Sequence, residues 1–399
     1  MRILIAAAGS RGDVAPYTGL GAGLREAGHD VALATTDAFA PLVREAGLEF
    51  RSLPTRPQGH GSIQGRRELM RAAAEFATEL GQGFADAVDE HTDLLLLSTT
   101  TAPLGLHVAE AMGIPALGTC LQPTAPTGDF PPTVMGTRSF GRLGNRVAGR
   151  LALRMADRVY TDAVTALRRR LDLSPLTPTA MRRRQERAGR PALHGFSTAL
   201  VPRPSDWREG LDVVGNWWPY LTPDRRLPTD VEEFLAAGAR PVFVGFGSMA
   251  AGHGERLSEL AVEALRSAGL RGIVQAGNAG LAVDAGDVLT IGDLPHALLF
   301  PRVAAVVHHA GAGTTAAALR AGAPSVPVPV TADQPFWAAR LASIGAGTGP
   351  IPFASLTARR LADALGRVVR QQAYARAASV AARHMATEDG VGAVLKALG

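Results

Sequence analysis

The chain contains one construction twice. An apolar run breaks at a glycine-bracketed turn, "RILIAAAGSRGD" at the start and "PVFVGFGSMAAG" beyond the middle. Each turn leads to a helical stretch that closes on glycine and enters a β-branched strand, "LREAGHDVALAT" at Leu24–Thr35 and "LRSAGLRGIVQAG" at Leu265–Gly277. A second pair matches as well. "TDLLLLSTTT…AEAMGIPALGT" and "AAVVHHAGAGTTAAALRAGAPSVPVPV" each read strand, helix, Gly-x-Pro turn, strand. Alternation of this kind predicts α/β architecture with parallel sheets, in two Rossmann-like halves. A chain of 399 residues can give each half its own core.

The expected boundaries are an N-terminal domain over 1–216 and a proline-rich linker over 217–234. A C-terminal domain follows over 235–380, and a final helix over 381–399 packs back on the first domain. Two Rossmann-like domains facing each other place a ligand in the cleft between them. The stretches 51–82 and 123–204 break the strand–helix rhythm, with "LQPTAPTGDFPPT" reading as loop. Insertions of this kind, at strand C-termini, are where ligands are selected.

Composition narrows the functional classes. Hydrophobic content of 46% with 19% charged residues describes a folded globular chain. The single cysteine, Cys120, supplies neither a disulfide framework nor a cysteine metal cluster, so a cytoplasmic location is expected. No apolar run reaches the roughly 18 residues a transmembrane helix needs. The opening "ILIAAAG" is a first strand in this reading, not a signal sequence. A net charge of +5 invites nucleic acid. Yet the clusters at Arg168–Arg170 and Arg182–Arg190 carry no interleaved aromatics for base stacking, so no nucleic-acid partner is expected. They read as a solvated helical face or a lid beside an anion.

The most informative stretch is His308–Leu341. "AAVVHH" is a buried strand, "AGAGTT" a turn, and "AAALRAG" a helix closed by Gly322. Gly311 and Gly313 let backbone approach an anion, and Thr314 and Thr315 are expected to cap the helix, whose N-terminus favours negative charge. His309 can donate to a phosphate; His308 reads as its packed neighbour. Gly-x-Gly alone would fit any strand–turn–helix. The next strand, "SVPVPV", carries Pro327 and Pro329 and so belongs at an edge or in irregular extended form. It delivers Asp333 and Gln334 to the same end of the sheet, a pair suited to sugar hydroxyls.

Together these pieces resemble the nucleotide-sugar glycosyltransferases of family 1, which have the GT-B fold. The branch is that of sterol glucosyltransferases and of bacterial enzymes glycosylating glycopeptide and polyketide aglycones. The resemblance rests on "GSRGDVAP" (9–16), "VGFGSM" (244–249), "GDLPHALLFPRVAAVVHHAGAGTT" (292–315), "ADQPFWAARL" (332–341) and "GTGPIP" (347–352), in the right order over nearly the whole chain. It implies a donor diphosphate held by His309, Gly311, Ala312, Gly313, Thr314 and Thr315, with Ser248 reaching it from the inter-domain turn. It implies a donor sugar held by Asp333 and Gln334. Where many relatives place a stacking tryptophan, this chain has Asp293. The base would then rest on backbone around Leu294, and the choice of UDP- or TDP-sugar stays open.

The first turn departs from the family pattern in one respect. Most members carry a catalytic histidine there, partnered by an aspartate after a later strand. Here Asp13 takes the histidine's place, and "STTTAP" (98–103) contains no acid. A carboxylate needs no second acid to fix its tautomer, so Asp13 is expected to be the general base toward an acceptor hydroxyl. Ser10 and Arg11 could reach the phosphates. The plainer reading makes Asp13 the N-cap of a helix beginning near Tyr17. No Asp-x-Asp pair occurs, so no metal or other cofactor is expected.

The resemblance thus implies an inverting transferase moving a hexose from a nucleotide sugar to a lipophilic acceptor. A Rossmann oxidoreductase fits less well, because the first turn is not Gly-x-Gly-x-x-Gly. A non-transferring relative such as an epimerase is the alternative.

Overall fold

The computed structural model describes residues 1–53, 66–247, 253–277, 280–283 and 286–399. Ser248, named above, lies outside the described residues. Two parallel sheets organise the chain. The first comprises β1 (Arg2–Ala6), β2 (Asp30–Thr35), β3 (Glu49–Ser52), β4 (Leu94–Leu97), β5 (Ala116–Cys120), β6 (Ala192–His194) and β7 (Leu211–Val213), in the order β3-β2-β1-β4-β5-β6-β7. The second comprises β8 (Val242–Gly245), β9 (Gly272–Gln275), β10 (Val288–Ile291), β11 (Ala305–His308) and β12 (Ser325–Pro327), in the order β10-β9-β8-β11-β12. The α/β architecture with two parallel sheets read from the repeated pattern is the one observed, and it accords with the GT-B fold that the resemblance implies. β12, with Pro327 at its end, is an edge strand, as its prolines require.

Both faces of each sheet are covered by helices, which is why its strands are apolar throughout. In β1, Leu4 and Ala6 face a layer holding Leu80, Phe84, Leu104 and Leu167. Ile3 and Ile5 point the other way, onto Tyr17, Leu20 and Leu24 of the helix Arg11–Glu26. The second sheet divides likewise. Val242 and Val244 pack toward the helices Gly254–Ala268 and Ala358–Arg370, while Phe243 packs toward Leu299 and Phe300. A further cluster joins the halves, with Phe196, Leu200 and Trp207 set against Phe336, Trp337 and Leu341.

The chain crosses between the halves twice. In the first crossing Trp217 is buried against Tyr17, with ring centroids 5.9 Å apart, and donates its Nε1–H to the Gly390 carbonyl at 2.9 Å. The second crossing ends in the helix Gly390–Ala397, which packs on the helix Arg11–Glu26; Asp389 caps it through the Gly392 N–H. Residues 381–385 still belong to the preceding helix, Gln372–Met385.

Two sequence expectations need correction. The described parts of the stretches 51–82 and 123–204 hold long helices. The helix Arg66–Ala87 takes up most of the described part of the first, and the helices Gly141–Val159, Thr161–Arg170 and Pro178–Arg187 fill much of the second. The loop over 121–132 is observed. Nor do the arginine clusters form a lid. Arg168 is buried, bonding Glu110 at 2.6 Å and His107 at 2.7 Å; Arg182 pairs with Asp157 and Arg184 with Glu110. These arginines pin helices together.

Candidate functional site

Each sheet reverses its strand order at one place, between β1 and β4 in the first and between β8 and β11 in the second. A crevice opens at such a point, because the loops leaving the two strands run to opposite faces. The turns after β1 and after β11 carry the candidate residues.

After β1 the chain turns at Gly9, whose φ of +139° favours glycine, and Ser10 caps a helix that starts at Arg11. The start lies six residues earlier than the one expected near Tyr17, because neither Gly12 nor Pro16 breaks the helix. Asp13 is therefore not the N-cap but the third helical residue. Its Oδ2 accepts the Ser10 backbone N–H at 2.8 Å and the Ser10 hydroxyl at 2.7 Å. This is a capping box with Ser10 as N-cap and Asp13 at the third helical position, and it fixes the carboxylate by one oxygen. Oδ1 is left for another partner.

After β11 the backbone passes through Ala310 at φ +63° and Gly311 becomes the N-cap of the helix Ala312–Arg320. Thr314 and Thr315 do not cap it, contrary to expectation; they lie inside its first turn. Ala312, Gly313 and Thr314 supply the N–H groups that a helix start leaves without intrahelical partners. Three buried polar atoms here have no partner among the described residues: His309 Nδ1, His308 Nε2 and Thr315 Oγ1. Unpaired buried groups are costly, so their clustering beside a helix start marks a place for a polar ligand.

The His309 ring lies between two glycines. A Cβ at Gly311 would come within 2.6 Å of Nε2, and one at Gly247 within 2.9 Å of Cε1. Both positions must be bare for the imidazole to fit. Burial pushes His309 down to about 4, and His296 likewise to about 4, with Arg11 and His309 adding repulsion. His308, buried and near both, is pushed down to about 3; its Nδ1 accepts the Ala310 N–H at 3.1 Å. All three are neutral at pH 7, and His309 can act as a neutral donor.

Asp333 and Gln334 follow β12 at the start of the helix Gln334–Ser343. Gln334 is buried, and its Oε1 accepts the N–H groups of Val330 at 2.7 Å and Thr331 at 3.1 Å, shaping the turn. Its Nε2 remains for a ligand. Asp333 Oδ2 accepts the Trp337 Nε1–H at 2.7 Å. Burial raises the Asp333 carboxyl above its ordinary value despite that bond, and the negative charge of Asp13 raises it further. The two carboxylates, one from each half, are thus electrostatically coupled across the cleft.

Arg11 also crosses the cleft, but not to a phosphate-binding group. Its Nη1 lies 2.6 Å from Asp293 Oδ2, and Gln275 reaches Asp293 Oδ1 at 3.4 Å. Leu294 sits beside the pair, partly buried on the Phe300 core. Ser10 is engaged with Asp13. Sequence reasoning missed the Arg11–Asp293 pair, which joins residues 282 apart and leaves no local signal. It also missed Trp337, although a donor four residues after Asp333 on a helix is a readable signal.

Comparison with known proteins bears on the family and the fold. Residues 3–127 match the glycosyltransferase family 28 N-terminal domain, and residues 274–398 match the erythromycin biosynthesis protein CIII-like C-terminal domain. Over 98% of this chain and 95% of the relative, the sequence is 36% identical to an O-mycaminosyltylonolide 6-deoxyallosyltransferase of Streptomyces fradiae. It is 34% identical to a sterol 3-beta-glucosyltransferase of Arabidopsis thaliana, of whose length the match covers 65%. Among solved structures, the kitacinnamycin glycotransferase superimposes over the whole chain and 98% of its own, with a TM-score of 0.72 at 19% identity.

Proposed function

The chain belongs to the GT-B glycosyltransferases related to sterol glucosyltransferases and Streptomyces natural-product glycosyltransferases, and on that premise we propose an inverting transfer with Asp13 as general base. The donor is a UDP- or TDP-hexose, and the acceptor is a hydroxyl on a lipophilic aglycone such as a sterol or macrolide. One observation carries the reading: the turns at the two switch points hold, after β1, the Asp13 carboxylate fixed by one oxygen and, after β11, a helix start beside buried polar groups without partners.

The diphosphate takes the helix start at Ala312–Thr314, with His309 and Thr315 supplying donors that are otherwise unpaired. The sugar lies toward Asp333 Oδ1 and Gln334 Nε2. The acceptor hydroxyl approaches Asp13 Oδ1, while Ser10 holds the other oxygen. An alcohol is a much weaker acid than a carboxylic acid, so the proton moves to Asp13 as the oxygen attacks the anomeric carbon. Such help is worth on the order of 10²–10⁴-fold. As the bond to the diphosphate breaks, its charge grows at the helix N-terminus and the neutral imidazole. Attack opposite the leaving group converts an α-linked donor to a β-glycoside.

The test is nucleoside diphosphate release from UDP-glucose and TDP-glucose, with and without a pooled set of sterol, macrolide and phenolic acceptors. Release stimulated by an acceptor supports transfer. Tight nucleotide binding with sugar interconversion and no release would favour an epimerase instead.

A further inference from the structure

Among the described residues, eight large apolar side chains are exposed, and six of them fall in one stretch: Val134, Met135, Phe140, Leu143, Val147 and Leu151. The last three are 77%, 63% and 53% exposed and recur every four residues on the helix Gly141–Val159. At 100° per residue they share an arc of about 100° with Arg150, Arg154 and Arg158. All three arginines are exposed. None is in an ion pair, whereas Arg142 and Arg146 on the flank are tied to Asp129 and Asp206. The helix has a single acid, Asp157, which is buried and bonded to Arg182 and Thr179.

A solvated helix would alternate charges of both signs and hide its leucines. This one shows apolar residues along its first half and unopposed cations along its second. We infer that the exposed face of Gly141–Val159 docks on an anionic lipid surface, the leucine and valine side chains entering the acyl boundary and the arginines meeting headgroup phosphates. Charge decides against a second copy as occupant. An isologous pairing would bring both arginine rows into one seam, with no acid on either face to offset them.

The turn Thr133–Met135 continues the patch and packs against the helix Gln334–Ser343, where the Phe130 and Phe336 rings lie 5.1 Å apart. The docked face therefore borders the element that begins with Gln334. A lipophilic acceptor dissolved in the bilayer would enter beside it. That route rests on the acceptor class proposed above; lipid binding itself does not.

The test is co-sedimentation of the full chain with vesicles of phosphatidylcholine alone and of phosphatidylcholine mixed with phosphatidylglycerol, at low and high salt. Binding is expected only to the mixed vesicles and is expected to weaken with salt. Arg150→Gln, Arg154→Gln and Arg158→Gln together should cut partitioning about a hundredfold. Leu143→Gln, Val147→Gln and Leu151→Gln together should cut it at least about tenfold. Melting temperature and nucleotide affinity should hold in both variants, since these side chains face solvent. Failure to sediment with mixed vesicles at low salt would overturn the inference, as would equal binding by wild type and both variants. So would light scattering that showed a dimer dissolved by either set of changes, which would make the face a contact between copies.

Discussion

Arg11 and Asp293 meet 2.6 Å apart, one from the first turn of the N-terminal half and the other from the loop after β10. The pair spans the mouth of the donor site, with Asp293 at the position expected to face the nucleobase. Both side chains are more than half exposed, and a pair so exposed contributes at most about 1 kcal/mol. Donor binding can therefore displace it readily. Arg11→Ala and Asp293→Ala should have opposite effects if Arg11 moves onto the diphosphate: nucleotide affinity falls with the first and rises with the second. Each change should be within about fivefold, and smaller at high salt. Titration calorimetry with UDP and TDP at two ionic strengths reads both effects, along with any change in base preference.

Asp13→Asn keeps an oxygen to accept from Ser10 but cannot take a proton. Turnover should fall about 10²–10⁴-fold with nucleotide affinity and melting temperature nearly unchanged. Asp13→Ala should lose as much turnover and, in addition, about 1 kcal/mol of stability, because the capping bonds go with the carboxylate. Steady-state kinetics paired with thermal melts separates the two roles. Full activity in Asp13→Asn would remove the base assignment.

If Asp333 holds the donor sugar as proposed, its ionised form is the stronger acceptor for the sugar hydroxyls, and burial raises its pKa above the usual carboxylate value. Activity should fall on the acid side as pH drops through that raised value. Trp337→Phe removes the indole donor that partly opposes the rise, so the acid limb of kcat/KM should move to higher pH. KM for the donor should rise more than kcat falls. An acid limb unmoved in Trp337→Phe would show that Asp333 does not set it.

Gly311→Ala introduces a Cβ 2.6 Å from His309 Nε2, so the imidazole must move. The φ of Gly311 is −63°, which alanine accepts, so the fold tolerates the change. An ångström of displacement can cost about 10²-fold in rate. A loss of donor affinity and turnover on that scale, with a near-normal melt, is expected. Adding a metal chelator to wild type should leave turnover unchanged, consistent with charge stabilisation by backbone and imidazole.

His296, His308 and His309 are held near 4, 3 and 4 by burial, against an unfolded value of 6.5. Below pH 6.5 the unfolded chain binds protons that the folded chain refuses. Stability is complete above 6.5 and declines as pH falls toward 4, by up to about 1.4 kcal/mol per pH unit for each histidine. Melting temperature measured from pH 8 to pH 4 should fall across that window. Phenylalanine at position 296, next to the stacked Phe300 ring, should flatten the decline.

The sequence declared its sheets because periodicity and glycine turns are local, and a strand buried on both faces must be apolar along its length. It declared the anion turn and Asp13 for the same reason. Helical packing of 141–187 was hidden, since arginine-rich helices carry no simple apolar stripe when ion pairs such as Arg182–Asp157 do part of the joining. The helix start at Arg11 was obscured by Gly12 and Pro16, two residues of low helix propensity that tertiary contacts override. The Trp337–Asp333 bond was legible in its i,i+4 spacing, though not its geometry. The Arg11–Asp293 pair needed the relative placement of two halves, which no spacing records.

The two crossings converge on one helix. Trp217 leans on Tyr17, and a Cβ at Gly19 would strike the Trp218 carbonyl at 1.9 Å. From the other crossing, Val391 sits where a Cβ at Gly23 would need to go, 2.7 Å away. A door hung from two pins on one post can swing, but it can neither slide nor twist. The post here is Arg11–Glu26, and its tip carries Asp13. When the halves part, Asp13, the proposed base, stays with the N-terminal half while Asp333 leaves with the C-terminal half. Opening then lengthens the distance between the two carboxylates, so on the proposed mechanism an open molecule holding a donor is also a disarmed one.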